Sequence, residues 1–215
     1  MNFLKMKDPA STITHFIPFL AGIVGLVFFI IQSSHSLSKL ITTTIFGIGI
    51  IVLYGASSMY HWIRTTPEKE LVLRKLDHGA IFLLISSTYT PIIYFGLDGA
   101  WKWSILSVVW SIAILGMVMK IWVMNLPRWI STALYLGLGW IAVIPLYKLI
   151  QNLPLGAIIL LLAGGILYTI GGVVYGTKKL NFFPNRFGFH EIFHIFVALG
   201  TLSHYFMVYF FIIPI

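Results

Sequence analysis

The sequence predicts an all-α fold: an integral-membrane bundle of seven transmembrane helices, with a cytoplasmic N-terminus and an extracytoplasmic C-terminus. Three observations predict it. Of the 215 residues, 59% are hydrophobic and only 9% charged, against roughly 25% charged in soluble domains. Mean hydropathy is +0.94. The apolar residues gather into seven runs, each close to the ~20 residues that a helix needs to cross hydrocarbon. A soluble fold of this size still exposes much of its area and could not hide so much apolar surface. Composition therefore excludes a cytosolic globular enzyme, a disordered chain and a nucleic-acid module. The runs are also too long, and too uniformly apolar, for alternating barrel strands.

The first run, 14–32, is too long for a signal peptide and has no small-residue cleavage site after it. It stops at Ser33-Ser34-His35-Ser36. The second, 39–62, ends before Thr65-Thr66-Pro67-Glu68-Lys69. The third, 75–96, ends at Asp98-Gly99, and the fourth, 102–122, at Asn125-Leu126-Pro127-Arg128. The fifth, 129–150, stops at Asn152-Leu153-Pro154. The sixth, 155–176, is followed by Lys178-Lys179-Leu180-Asn181 and Pro184-Asn185-Arg186, and the seventh is 190–213. All these breaks carry turn chemistry. They leave one domain, 1–215, and no loop long enough for a second.

Lys and Arg set the orientation. With the N-terminus inside, the inner segments hold Lys5, Lys7, Arg64, Lys69, Arg74, Lys75, Lys120, Arg128, Lys178, Lys179 and Arg186. The outer segments hold only Lys39, Lys102 and Lys148. The net charge of +8 is thus a topology signal rather than a nucleic-acid footprint. Cysteine is absent, which removes disulfides and thiolate metal sites. Gly164-Gly165 and Gly171-Gly172 permit close helix approach.

Ionisable residues at membrane depth are costly and mark function. They are His61, Asp77, His78, His190, Glu191, His194 and His204, with His15 at the edge of the first helix. His61 ends the second run, Asp77 begins the third, and His190 and His194 begin the seventh, so all lie near the cytoplasmic surface. His190 and His194 are i and i+4 and share a helix face; Ser57 stands in the same relation to His61. Three neutral imidazoles with an open position are the ligand set of a catalytic zinc, though imidazole suits other metals too. Asp77 is either a fourth ligand or an acceptor for a bound water. Each residue also has an ordinary reading. Asp77 caps its helix or pairs with Arg74, Ser57 satisfies its own backbone, and an isolated His-x-x-x-His is seldom a metal site.

His78 points about 100° from Asp77, and Asp77 is kept for the site. His15 and His35 read as peripheral. His204 lies ten residues past His194, about 15 Å along a helix, too far to share its metal; it lines a cavity or bonds a neighbouring helix. Residues 190–194 also match the metalloprotease pattern H-E-x-x-H, with Glu191 as base. That pattern needs a further ligand downstream, and the extended spacing falls on Gly200.

Three blocks resemble the hemolysin III family, the bacterial branch of the superfamily of adiponectin and progestin receptors, with alkaline ceramidases more distant. They are Leu53-Tyr54-Gly55-Ala56-Ser57-Ser58-Met59-Tyr60-His61, Leu76-Asp77-His78-Gly79-Ala80-Ile81-Phe82 with Ser86-Ser87-Thr88-Tyr89-Thr90-Pro91, and Phe187-Gly188-Phe189-His190-Glu191-Ile192-Phe193-His194 with His204-Tyr205. The resemblance implies zinc held by His61, His190 and His194 near the cytoplasmic side. It implies that Asp77 acts through a zinc-bound water and that Ser57 is the Ser of the first motif. It agrees with the charge-derived orientation. One departure is Phe16, where the pattern after Ile13-Thr14-His15 calls for Gly; it bears on His15 and not on the zinc set.

The expectation that follows is a zinc-dependent hydrolase of lipid amide or ester bonds in a multi-pass cell-membrane protein. Zn²⁺ would be the cofactor and membrane lipids the partners. Asp77 would be the base, Ser57 would orient it or stabilise the oxyanion, and Phe82, Tyr89 and Phe193 would either line an acyl cavity or serve as ordinary packing. The alternative is a non-enzymatic regulator of membrane homeostasis, or a cytolysin, with a structural zinc.

Overall fold

The computed structural model describes residues 6–182 and 187–215. Lys5 and the Pro184-Asn185-Arg186 turn lie outside the described residues. The chain is all-helical, with α1 (Pro9–Ser33), α2 (Leu37–Trp62), α3 (Pro67–Gly96), α4 (Gly99–Trp122), α5 (Arg128–Gly139), α6 (Leu146–Asn152), α7 (Leu155–Thr177) and α8 (Phe189–Met207). A 3₁₀ turn (Trp140–Val143) follows α5, and a π turn (Val208–Ile212) extends α8. Six helices are long and apolar enough to cross a membrane, and α5 with α6 forms a seventh, broken span. In hydrocarbon only elements that satisfy their own backbone can span, and this composition leaves helices as the solution.

Neighbours in sequence pack as neighbours in space: α1 on α2, α2 on α3, α3 on α4, α7 on α8. Contact of α1 with α8 closes the ring. The most buried span is α3, whereas α1 and α4 turn most of their length outward. On α1 the outward stripe is Ile17, Leu20, Val24, Val27 and Ile31, as expected where lipid is the solvent. Inside, Phe29, Phe46, Phe82, Ile93, Val109 and Met207 are completely buried. The hydroxyls of Ser86, Thr88 and Thr90 on α3 donate to carbonyls three or four residues back, which satisfies them without leaving the helix.

Three elements differ from the hydropathy reading. The first helix begins at Pro9 rather than 14, so Ser11 and Thr12 are helical as well; hydropathy misses this turn because its polar side chains face inward. The third begins at Pro67 rather than 75. Pro67 suits a first helical position, and Glu68 and Glu70 lie in the first turn, where the helix dipole favours negative charge. The fifth run is not one helix. It bends by 50° between Val143 and Leu146.

The bend has two causes. Pro145 lacks an N–H and cannot continue the ladder. The hydroxyl of Tyr89, reaching in from α3, donates to Gly139 O at 2.6 Å and accepts from Ala142 N–H at 2.7 Å. It thus supplies the partners that the broken ladder has lost. Tyr89→Phe is expected to destabilise the protein by about 1–3 kcal/mol, read as a lower Tm in detergent. An unchanged Tm would show that Pro145 alone holds the bend.

Candidate metal centre

Four helix ends meet where the chain begins: the starts of α1, α3 and α8 and the end of α2. The residue before α1 runs alongside the end of α2, with Asp8 N–H bonded to His61 O at 2.9 Å and Lys7 N–H to Trp62 O at 3.1 Å. This pairing pins the N-terminal segment over the helix ends and brings four histidines together.

His61, His190 and His194 each present a ring nitrogen to a common point, all within 4.8 Å of one another. His61 Nε2 and His190 Nε2 stand 3.1 Å apart. His61 and His194 are buried and His190 is half-buried. The outer nitrogens of His61 and His194 are engaged. His61 Nδ1 meets Asp8 Oδ2 at 3.1 Å. His194 Nδ1 meets Thr14 Oγ1 at 3.0 Å and Ser11 O at 3.3 Å. The Thr14 hydroxyl itself donates to Ser11 O, so its oxygen is free to accept. These partners are acceptors, so Nδ1 carries the proton on His61 and His194. Their Nε2 lone pairs are left to face the centre.

A metal ion fits this arrangement. Two nitrogens bound to one zinc at about 2.0–2.1 Å are at most about 4.2 Å apart. The three ligand atoms all lie within 4.8 Å of one another, which a small shift of the His194 ring brings within reach of one ion. His61 Nε2 and His190 Nε2, at 3.1 Å, already meet that limit. Facing lone pairs at that distance repel unless a proton or a cation stands between them. A carboxylate or carbonyl on the far nitrogen is the usual outer support of a metal-binding imidazole, and Asp8, Thr14 and Ser11 provide it. Three imidazoles without sulfur suit zinc and other imidazole-binding metals.

Asp77 stands outside this close group. It is 9% exposed and lies beside the cluster in the wall of a long apolar cavity, with Ser57, His190 and His194. Its carboxyl is near enough to the Ser57 hydroxyl to interact with it. His78 does not turn away as expected: its Nδ1 bonds Arg74 O at 2.9 Å and stands 3.7 Å from Asp77 Oδ2, and its side chain reaches the same cavity wall. From Asp77 the cavity follows α3 along Ile81, Leu84, Ile85, Thr88, Tyr89, Ile92 and Ile93, about 24 Å at 1.5 Å per residue. Of the aromatics expected there, Tyr89 and Phe193 line it; Phe82 is buried against Tyr135 and Gly116 instead.

His15 is not peripheral. It is 3% exposed, its ring stacks on His194 with centroids 3.5 Å apart, and its Nδ1 meets Ser57 Oγ at 2.8 Å. Ser11, Thr14 and His15 fall at i, i+3 and i+4, a polar stripe in the sequence that marks this inward face. Asp8 was missed as well; it lies before the apolar run, where periodicity carries no signal. His35 lies at the far turn, after α1.

Glu191 is fully committed. One carboxylate oxygen accepts from Gly188 N–H at 2.7 Å, capping α8, and the other accepts from the Ser11 hydroxyl. That leaves it a structural clamp between α8 and α1, which removes the base from the H-E-x-x-H protease reading.

A protein-family model described as Haemolysin-III related matches residues 3–205. The chain belongs to this family. It is 35% identical to Hemolysin-3 of Bacillus cereus over 215 residues, covering 99% of this chain and 94% of that one. It is 35% identical to a Hemolysin-3 homolog of Bacillus subtilis, covering 99% and 98% of the two chains. An adiponectin receptor protein of Drosophila melanogaster is 28% identical over 89% of this chain and 48% of its own length. With its several apolar spans, this family member is a multi-pass cell-membrane protein.

Any metal held by the three histidines will depend on Asp8. Asp8→Asn is expected to weaken zinc binding roughly 10–100-fold, measured by titrating zinc into the purified protein. Equal affinity would mean that Asp8 has no part in orienting His61.

Proposed function

We propose that this protein is a zinc-dependent hydrolase of amide or ester bonds in membrane lipids. The observation that carries the reading is the junction of two features. A three-histidine group fit for a metal adjoins the head of a long apolar cavity, and a buried carboxyl stands at that junction. The Lys and Arg excess on the segments at this end supports a cytoplasmic location for it, with the chain as one domain spanning the membrane seven times.

The residues would divide the work as follows. His61, His190 and His194 would hold zinc, with Asp8, Thr14 and Ser11 fixing the ring orientations. When bound, zinc acts as a Lewis acid on a carbonyl and makes water nucleophilic near neutral pH. Asp77 would take the proton of the attacking water on a carboxylate oxygen and return it to the leaving nitrogen or oxygen. Ser57, held by His15 on one side, would keep the Asp77 carboxyl aimed at the cavity head. The apolar walls would bind the acyl chain and keep bulk water from the reacting bond.

The name of the Bacillus cereus relative, Hemolysin-3, supports a second reading, in which zinc is structural and the protein acts on membranes without turnover.

Two variants separate these readings. The double change His190→Ala/His194→Ala is expected to lose the near one zinc per chain held by the parent, assayed as metal content of detergent-purified protein. Asp77→Ala is expected to keep its zinc and to lose hydrolysis of a ceramide-type amide by at least about a hundredfold, the scale of general-base catalysis. Turnover undiminished by Asp77→Ala would overturn the base assignment. Zinc without turnover in the parent, together with dye release from liposomes, would favour the second reading.

A further inference from the structure

The far half of the cavity holds a polar atom that the hydrolytic scheme does not use. His204, on α8, is buried and lines the cavity. Its Nε2 meets Leu161 O of α7 at 3.1 Å. A carbonyl only accepts, so Nε2 carries the ring proton and Nδ1 of the neutral imidazole is an acceptor. Nδ1 has no hydrogen-bond partner.

The close approach that sets this ring is specific. A Cβ added at Gly164 would sit 2.3 Å from His204 Nε2, so only glycine lets the imidazole reach Leu161 O.

Nothing nearby answers Nδ1. Thr201, one turn earlier on α8, donates to Val197 O. Its oxygen takes contacts of 2.7 Å from both the Tyr54 and Tyr168 hydroxyls. Tyr89 is spent on the helix break. The other buried polar atoms without partners among the described residues belong to His15, Ser58 and Arg128. Those residues are at the end of the bundle that holds the metal centre. A water is kept in a buried site by two to four polar partners, and here it would find one. An acceptor left bare in an apolar environment is unfavourable.

We propose that His204 Nδ1 accepts a hydrogen bond from a hydroxyl borne part-way along the chain of the lipid in this cavity, so that the protein selects mid-chain-hydroxylated long-chain amphiphiles. The position follows from α8, which runs unbroken from Phe189 to Met207. His194 and His204 are ten residues apart, so the hydroxyl is held about 15 Å from the metal centre. An unsubstituted chain fills the same space and leaves Nδ1 bare. The inference rests on the hydrolase reading only in placing the polar end of the lipid at the histidine cluster.

The test is equilibrium binding to the purified full-length protein in detergent. Labelled stearic acid is the probe, displaced by stearic acids hydroxylated at successive mid-chain carbons. One position, or two adjacent ones, is expected to bind about tenfold tighter than stearic acid itself, the worth of one hydrogen bond to a buried acceptor. His204→Leu is expected to bind stearic acid as before and to lose the preference. His204→Gln retains a donor for Leu161 O and an acceptor for the hydroxyl, and is expected to recover part of it. Gly164→Ala, which displaces the ring without removing it, is expected to lose it. Equal binding of the whole series by the parent, no binding of stearic acid by the parent, or a preference that survives His204→Leu would each overturn the proposal. Should His204→Leu fail to bind stearic acid, the Gln and Gly164→Ala variants decide. The binding series needs no turnover, so loss of hydrolysis by the parent and loss of this preference are read separately.

Discussion

A polar side chain that enters hydrocarbon must find its partner inside the protein, because the solvent offers none. This constraint organises the whole bundle. The serines and threonines of α3 meet it by bonding their own helix. Tyr89 meets it by repairing the break between α5 and α6. Tyr54, Tyr168 and Thr201 meet it by sharing one oxygen. Among the described residues, the unsolved groups gather at the end that holds the histidine cluster and Asp77, apart from His204 further in.

The cluster is a product of helix ends rather than of helix middles. The chain just before α1 pairs with the end of α2 through Asp8 N–H and Lys7 N–H. That pairing delivers the Asp8 carboxylate to His61 and sets Ser11 and Thr14 against His194. Glu191 draws α8 onto the same segment through Ser11. His61 and His194 therefore arrive with their Nδ1 atoms occupied and Nε2 facing inward, before any ion is added. Such preorganisation shifts the cost of ordering from binding to folding.

The cavity depends on the same economy of partners. A straight fifth helix would pack its apolar face against α3 and α7. The bend at Pro145 turns the chain there, and Trp140, Ala142, Val143 and Leu146 become cavity wall. The small residues of α7 let α8 close in, which is how helices pack without a hydrophobic drive between them. At Gly164 this closeness brings His204 within reach of a carbonyl. One long apolar space thus joins a metal-competent group at one end to a lone acceptor further in.

Composition and hydropathy by themselves determined the helical class, the number of apolar runs and the membrane setting, because those depend on transfer to hydrocarbon and each run carries its own signal. Spacing placed His190 and His194 on one face and Ser57 beside His61, since i and i+4 neighbours are local geometry. The common layer of His61, Asp77, His190 and His194 was legible too, from positions at run ends. Only the tertiary structure decided the rest. Asp8 and His15 joined the site through contacts with residues far along the chain, which no periodicity encodes. The fifth run breaks at Pro145, a local signal, but its bend was settled by a tyrosine from α3 that satisfies the freed backbone groups. Glu191 became a clamp because Ser11 came within reach. Each of these depends on which helix ends meet, and that is set by packing between segments rather than by any one of them.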